Sequence, residues 1–210
     1  MKISPARQNI LRKIRQALSN TVPVPFPQSE GTDSVFQPLK QEIDVEFAQN
    51  FTGLQGRFSF CIDESELAHQ LQLLITSRKW DKIYCRETQV KETLSSAGLA
   101  INYSGDLTNC DASITGCEFL VARTGSIVMS SAQQSGRTTS VYAPVHICIA
   151  YTSQLVYDVK EALVLAKNKY PKLPSLITFA TGPSRTADIE KTLVVGVHGP
   201  KEVFCFLVEK

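Results

Sequence analysis

The sequence contains no long hydrophobic run. No segment reaches the roughly 18 apolar residues that a transmembrane helix needs, and the N-terminus lacks the apolar core of a secretory signal. No acidic residue precedes Glu30, whereas several Lys and Arg residues do. That composition also occurs in organelle transit peptides. We interpret it instead as a basic helix on a cytoplasmic protein that has no membrane span.

The cysteines form no metal-binding pattern. The chain has 6 cysteines and 3 histidines, but no Cys-x-x-Cys and no Cys followed by His at zinc-ligand spacing. The cysteine spacing of an iron–sulfur protein is also absent. Most of the cysteines lie in apolar segments, where a free thiol behaves as a small hydrophobic side chain. We therefore expect reduced cysteines, as in a reducing compartment, and no metal site.

Several ligand-binding signatures are missing as well. The sequence has no Gly-x-Gly-x-x-Gly before a helix, no Walker motif and no Gly-x-Ser-x-Gly elbow. The standard dinucleotide, nucleoside triphosphate and serine-hydrolase interpretations therefore lose support. The formal net charge of +2 is too small to attract nucleic acid by electrostatics, so we expect no nucleic-acid partner.

A proline-rich segment divides the chain. Ser4 and Pro5 are typical of a helix N-terminus, and apolar residues at helical spacing continue the helix to about Ser19. Prolines recur between Thr21 and Pro38 and predict an extended linker. We therefore expect an N-terminal helical arm in residues 1–38 and one globular domain in residues 39–210.

Helical and strand patterns alternate in the first part of that domain. This alternation is typical of an α/β fold with a mainly parallel sheet flanked by helices. In the second half, three short apolar runs separated by Thr-Gly turns predict additional strands that pair as hairpins. Helices are predicted over residues 39–51, 88–97 and 156–169, and a further helix is predicted to start at Asp63. Strands are predicted over residues 57–62, 82–85, 99–103, 112–114, 119–122, 127–129, 145–150 and 176–180.

Polar residues cluster in loops next to the predicted strand ends. In the first loop a glycine between two hydroxyls would let a ligand approach the backbone. The second loop runs from Ser130 to Ser140 and leads to a histidine. The closing loops, residues 182–190 and 196–200, combine hydroxyls, a guanidinium and carboxylates, as in a site for a small anion. The candidate ligand-binding residues are Thr124, Gly125, Ser126, Arg137, Gly182, Ser184, Arg185, Thr186 and Gly199; the candidate catalytic residues are His146, His198, Asp188 and Glu190.

Each of these loops also has a structural interpretation. The first can be an ordinary tight turn, the second a solvated loop, and residues 182–190 a capped, salt-bridged turn. An isolated histidine at a strand start, such as His146, more often satisfies a structural hydrogen bond than it catalyses a reaction.

The closing segment resembles the signature of a known family. Gly182-Pro-Ser-Arg-Thr-Ala-Asp-Ile-Glu190, followed by Gly196-Val-His-Gly-Pro200, is similar to the lactate utilization protein C family, or LUD domain. Further similar positions are Ile114-Thr115-Gly116, Thr124-Gly125-Ser126, Arg137 and Pro144-Val145-His146.

The resemblance implies a fold like that of glucosamine-6-phosphate deaminase, ribose-phosphate isomerase and CoA transferases. It also implies a role in the oxidation of L-lactate to pyruvate beside iron–sulfur proteins of a lactate utilization operon. The lack of cluster-binding cysteines fits the cluster-free member. Two positions depart from the family pattern: Arg123 stands where an acidic residue is usual, and Ser131–Ser135 replace a glycine-rich loop.

Three hypotheses follow. In the first, the chain is a subunit of a lactate-oxidising system. Arg137 and Arg185 bind a small carboxylate or phosphate-bearing ligand, hydroxyls orient it, and His146 or His198 moves protons. In the second, it is an independent isomerase- or CoA transferase-like enzyme with an acidic nucleophile, for which Glu118, Asp188 and Glu190 are candidates. In the third, it is a non-catalytic binding or assembly module. No cofactor is assigned, and self-association into a homo-oligomer is left open.

Overall fold

The computed structural model describes residues 5–19, 38–187 and 193–210. The chain divides into two units, Met1–Pro38 and Leu39–Lys210. The helices of the described residues are α1 (Pro5–Leu18), α2 (Ile43–Gly53), α3 (Glu64–Arg78), α4 (Thr88–Ser96), α5 (Thr139–Tyr142) and α6 (Val159–Lys169). The strands are β1 (Arg57–Cys61), β2 (Ile83–Cys85), β3 (Ala112–Thr115), β4 (Phe119–Val121), β5 (Ser126–Ser130), β6 (Val145–Tyr151), β7 (Leu155–Val156), β8 (Ile177–Ala180), β9 (Arg185–Ala187), β10 (Leu193–Val195) and β11 (Glu202–Val208).

The first unit contains α1, as the sequence predicts. Ile10 and Ile14 of this helix are exposed, and the linker at residues 20–37 lies outside the described residues. In the described part of the chain, no helix combines the length and hydrophobicity that crossing a membrane requires.

A five-stranded sheet forms the centre of the second unit. Its strand order is β1-β11-β6-β3-β2, and every neighbouring pair is parallel. Leu67 and Leu71 of α3 and Leu94 of α4 are buried in the cluster that covers one face. Asp63 caps α3 by accepting a hydrogen bond from the Glu66 backbone N–H. The predicted α/β fold with a mainly parallel sheet is confirmed.

A second sheet of four strands lies on the other side of this core. Its order is β7-β4-β5-β8; β5 pairs antiparallel with β4 and β8, and β4 pairs parallel with β7. Phe47 and Phe51 of α2, Ile127 of β5 and Cys148 of β6 share one buried cluster. Ala162 of α6 is buried with residues of the second sheet in another cluster. The additional strands predicted for the second half are therefore present.

Several predicted boundaries and pairings differ from the structure. β3 belongs to the parallel sheet rather than to a hairpin, since all four of its residues are buried, as expected for a strand with both faces covered. The predicted strand at residues 99–103 is wrong: only an isolated bridge joins Tyr103 to Ile83. The predicted loop at residues 182–190 contains β9, which pairs with β10.

Two helix predictions also need correction at their starts. The helix predicted from Leu39 begins at Ile43. The helix predicted from residue 156 begins at Val159, because the Asp158 side chain accepts a hydrogen bond from the Lys160 backbone N–H and caps it there. Leu163 of this helix is 44% exposed.

Candidate functional site

Five of the candidate residues line one pocket. They come from β6, from the turn between β8 and β9, and from the turn between β10 and β11. The pocket has a volume of about 280 Å³, and its wall contains residues of both sheets, so it lies between them. We call it the histidine pocket; the five residues are His146, Gly182, Ser184, His198 and Gly199.

His146 is buried and uncharged at neutral pH. Only 1% of its surface is exposed, and its Nε2 lies 2.9 Å from the Thr115 Oγ1. Burial disfavours the imidazolium and lowers the pKa of His146 to about 4. The ring therefore offers a neutral hydrogen-bonding group to the pocket rather than a positive charge.

His198 is exposed, and the two closing turns hold it beside Ser184. The Ser184 backbone N–H donates to the Pro200 carbonyl, and the Ser184 carbonyl accepts from the Gly196 N–H, each at 2.9 Å. A Cβ on Gly199 would stand 2.9 Å from the Ser184 Cβ. Glycine at this position therefore lets the two turns pack together, which sets the place of His198 at the pocket mouth.

A chain of hydroxyls connects the first candidate loop to the pocket. The Thr124 Oγ1 lies 2.8 Å from the Ser126 Oγ, which in turn lies 2.8 Å from the Thr181 Oγ1. Thr181 lines the histidine pocket, whereas Thr124 and Ser126 stand behind it. Gly125, where we expected a ligand to approach, instead contacts α2: a Cβ there would lie 2.5 Å from the Phe51 backbone nitrogen.

The two candidate arginines lie outside the pocket wall. Arg137 is exposed and donates to the Ser175 Oγ, and Arg185 is exposed on β9. Thr186 is half-buried opposite Val194 in the β9–β10 pair. Asp188 and Glu190 lie outside the described residues.

Sequence reasoning missed Lys201, which lies beside this site. Lys201 lines a neighbouring pocket of about 400 Å³ that shares His198 and Gly199 with the histidine pocket. Lys201 directly follows Gly199-Pro200 in the sequence, and this position could have identified it as a candidate. Among the described residues, no Lys or Arg lines the histidine pocket. Lys201 places a positive charge beside it. No group of three or more His, Cys, Asp or Glu residues in the described ranges could hold a metal ion.

Arg123, which replaces the usual acidic residue, forms a structural ion pair. Its Nε lies 2.5 Å from the Asp158 Oδ2, and the Asp158 side chain is only 9% exposed. The Lys160 backbone N–H and the guanidinium together lower the pKa of Asp158. Arg123 therefore anchors the N-terminus of α6 and does not line the histidine pocket.

Reversing this charge should destabilise the protein. We expect Arg123→Glu to lower the free energy of unfolding by about 1–2 kcal/mol, since it removes the ion pair and places a second carboxylate beside Asp158. Urea denaturation measures the change, with Arg123→Lys as the charge-conserving control. Equal stability of the Glu and Lys variants would contradict this role.

Glu118, a candidate nucleophile, is fully engaged in a buried network. Its Oε1 accepts from the Ser130 hydroxyl at 2.6 Å and from the Tyr170 hydroxyl at 2.5 Å, and its Oε2 accepts from the Lys169 Nζ at 2.6 Å. Burial acts to raise the pKa of Glu118, but these donors outweigh it and the pKa is lowered. A carboxylate held by three donors is a poor nucleophile, so the structure does not favour this role.

Comparisons with known proteins point to one family. The LUD domain family model matches residues 100–208. An uncharacterized protein of Neisseria meningitidis serogroup B is 36% identical over 96 residues. Proteins named lactate utilization protein C are 37% identical over 99 residues in Bacillus licheniformis and 40% identical over 101 residues in Halalkalibacterium halodurans. These matches cover 46–47% of this chain and only 41–44% of the relatives.

A solved structure has the same fold. The crystal structure of a DUF162 family protein from Deinococcus radiodurans superposes with a TM-score of 0.57 at 20% sequence identity. The match covers 81% of this chain and 99% of that protein.

Proposed function

The chain belongs to the LUD domain family, and on that premise we propose that it takes part in lactate utilization. In this proposal the protein is cytoplasmic, binds L-lactate or pyruvate in the histidine pocket, and works beside iron–sulfur partner proteins. The relatives named lactate utilization protein C support the pathway, and the pocket supports the binding of a small ligand.

One observation carries the proposal. Five residues that the sequence marks as candidates, drawn from three separate segments, line the same pocket. Its volume of about 280 Å³ lies just below the range usual for drug-sized ligands and suits a three-carbon acid. All five residues lie within the segment that matches the family model.

The surrounding groups match the chemistry of a hydroxy acid. Lys201, next to the pocket, is the cation for the carboxylate, and the hydroxyls of Thr181 and Ser184 are donors and acceptors for the ligand's oxygens. Oxidation of lactate to pyruvate releases two protons and two electrons. We assign the hydroxyl proton to the imidazole of the exposed His198 and the second proton, from the α-carbon, to solvent. The electrons go to the iron–sulfur partners.

Replacing His198 tests the binding site. We expect His198→Gln to weaken L-lactate binding about tenfold, because a hydrogen bond between the ring and the ligand is lost. His69, which is exposed on α3 and does not line the pocket, provides the matched control His69→Gln, which should bind normally. Isothermal titration calorimetry with L-lactate and pyruvate measures both affinities. Unchanged affinity in His198→Gln would refute this assignment.

The pathway is tested by reconstitution. L-lactate-dependent dye reduction would be compared for this chain alone, for iron–sulfur partner proteins alone, and for the mixture. We expect activity only in the mixture. Activity with the partners alone, unchanged by this chain, would contradict the proposed subunit role.

A further inference from the structure

A larger cleft lies at the carboxyl edge of the parallel sheet. Its lining includes residues two or three positions beyond the C-terminal ends of three strands: Glu87 after β2, Cys117 and Glu118 after β3, and Gln154 after β6. Its volume is about 760 Å³, and it shares no lining residue with the histidine pocket. Ligands of open α/β sheets bind outside the carboxyl ends of the strands. We call it the carboxyl-edge cleft.

Glu87 is a half-buried carboxyl group to which no described residue supplies a counter-charge. Its Oε1 accepts from the Gly116 backbone N–H at 3.1 Å, and no Lys, Arg or His within the described ranges forms an ion pair with it. Burial raises the pKa of Glu87, and its hydrogen bonds from Ser135 and Gly116 offset this only in part. A cation from a ligand would compensate this half-buried carboxylate, which no described residue pairs.

Other residues of the cleft present hydrogen-bond donors. The Gln133 Oε1 accepts from the Ser130 N–H at 2.8 Å, and the Gln134 Oε1 accepts from the Thr88 N–H at 2.7 Å. These bonds orient both amides with their NH₂ groups away from the backbone. No described residue accepts a hydrogen bond from either NH₂ group. Lys169, although paired with Glu118, is 54% exposed, so its ammonium has further N–H groups to donate.

The cleft therefore combines an unpaired carboxyl group with a set of cationic and amide donors. We propose that the carboxyl-edge cleft is a second ligand site and binds a small zwitterionic molecule, such as an amino acid. The ammonium group of the ligand pairs with Glu87. Its carboxylate accepts from Lys169 and from the amide NH₂ groups of Gln133 and Gln134. A simple anion leaves Glu87 uncompensated, and a simple amine leaves the donors unused.

A binding screen on the full chain tests the proposal. The probes are the proteinogenic amino acids, each beside the amine and the acid that lack one of its two charged groups, such as methylamine and acetate for glycine. Thermal shift identifies ligands, and titration calorimetry measures their affinity. We expect at least one amino acid to bind, and its amine and acid counterparts to bind about tenfold more weakly or worse, since each loses one charge-assisted contact.

Single substitutions test whether the amino acid binds in the carboxyl-edge cleft. Glu87→Gln keeps the shape of the side chain and its acceptor for Gly116, so the fold should persist, but amino-acid binding should weaken about tenfold or more. The exposed Glu209 supplies the matched control Glu209→Gln, which should bind as the wild type does. His198→Gln should also retain amino-acid binding, which separates this site from the histidine pocket. Failure of every amino acid to bind, equal binding of the lone amine or acid, or undiminished binding in Glu87→Gln would each overturn the proposal.

Discussion

Replacement of Gly125 by alanine is expected to destabilise the protein by about 3–4 kcal/mol. Gly125 has a φ of +59°, in the left-handed region, where a Cβ costs about 1 kcal/mol. The added Cβ would also stand 2.5 Å from the Phe51 nitrogen and 2.8 Å from its Cα. Backbone atoms inside a helix cannot move aside as a flexible side chain can, so α2 must shift away from the second sheet, at a cost of about 2–3 kcal/mol.

A second glycine separates the cost of the backbone conformation from the cost of the close contact with α2. Gly98 has a φ of +89°, but no atom lies within 4 Å of the position that its Cβ would occupy. Gly98→Ala should therefore cost only about 1 kcal/mol, from the backbone conformation alone. Urea denaturation of both variants measures the difference. If Gly125→Ala were no less stable than Gly98→Ala, the close packing of α2 on this turn would be disproved.

The second large effect is expected at Glu118. Glu118→Ala should lower the free energy of unfolding by about 3 kcal/mol, because it removes a buried carboxylate together with three hydrogen bonds and leaves the Ser130 and Tyr170 hydroxyls without their acceptor. Glu118 also joins the start of β4 to the end of α6, so its loss should loosen that helix end. Glu118→Gln, which keeps the shape but not the charge, should fall between the wild type and the alanine variant.

The same network predicts a pH dependence. The folded state lowers the pKa of Glu118 below its ordinary value of 4.5. The stabilisation is therefore fully present above that value and is lost as the pH falls through the lower folded pKa. Unfolding measured from neutral to acidic pH should show a smaller acid-dependent loss of stability in Glu118→Gln than in the wild type. Parallel pH profiles for the two proteins would contradict this account.

Local patterns were sufficient for most of the secondary structure. The cap formed by Asp63, the end of α4 before Gly98, and the alternating apolar run of β1 all depend on residues close together in the chain, so the sequence predicts them. The α/β class follows from the order of such elements. The motif residues His146, Ser184 and His198 were also recognisable, since glycine, proline and hydroxyl residues surround them at strand ends.

Tertiary contacts decided what those residues do. The sequence could not show that β3 leaves its neighbours β4 and β5 for the parallel sheet, because strand partners are chosen by burial on both faces rather than by distance along the chain. Nor could it show that Gly125 packs against α2, that Arg123 pairs with Asp158, or that Glu87 lies beside a cleft with no ion-pair partner among the described residues.

Each of these outcomes depends on atoms brought together from distant segments. The amino-acid sequence by itself determined most of the helices and strands and the set of polar residues at their ends. The packing of two sheets against each other determined which of those residues share a pocket, because only a folded core brings the segments around His146, Ser184 and His198 within reach of one ligand.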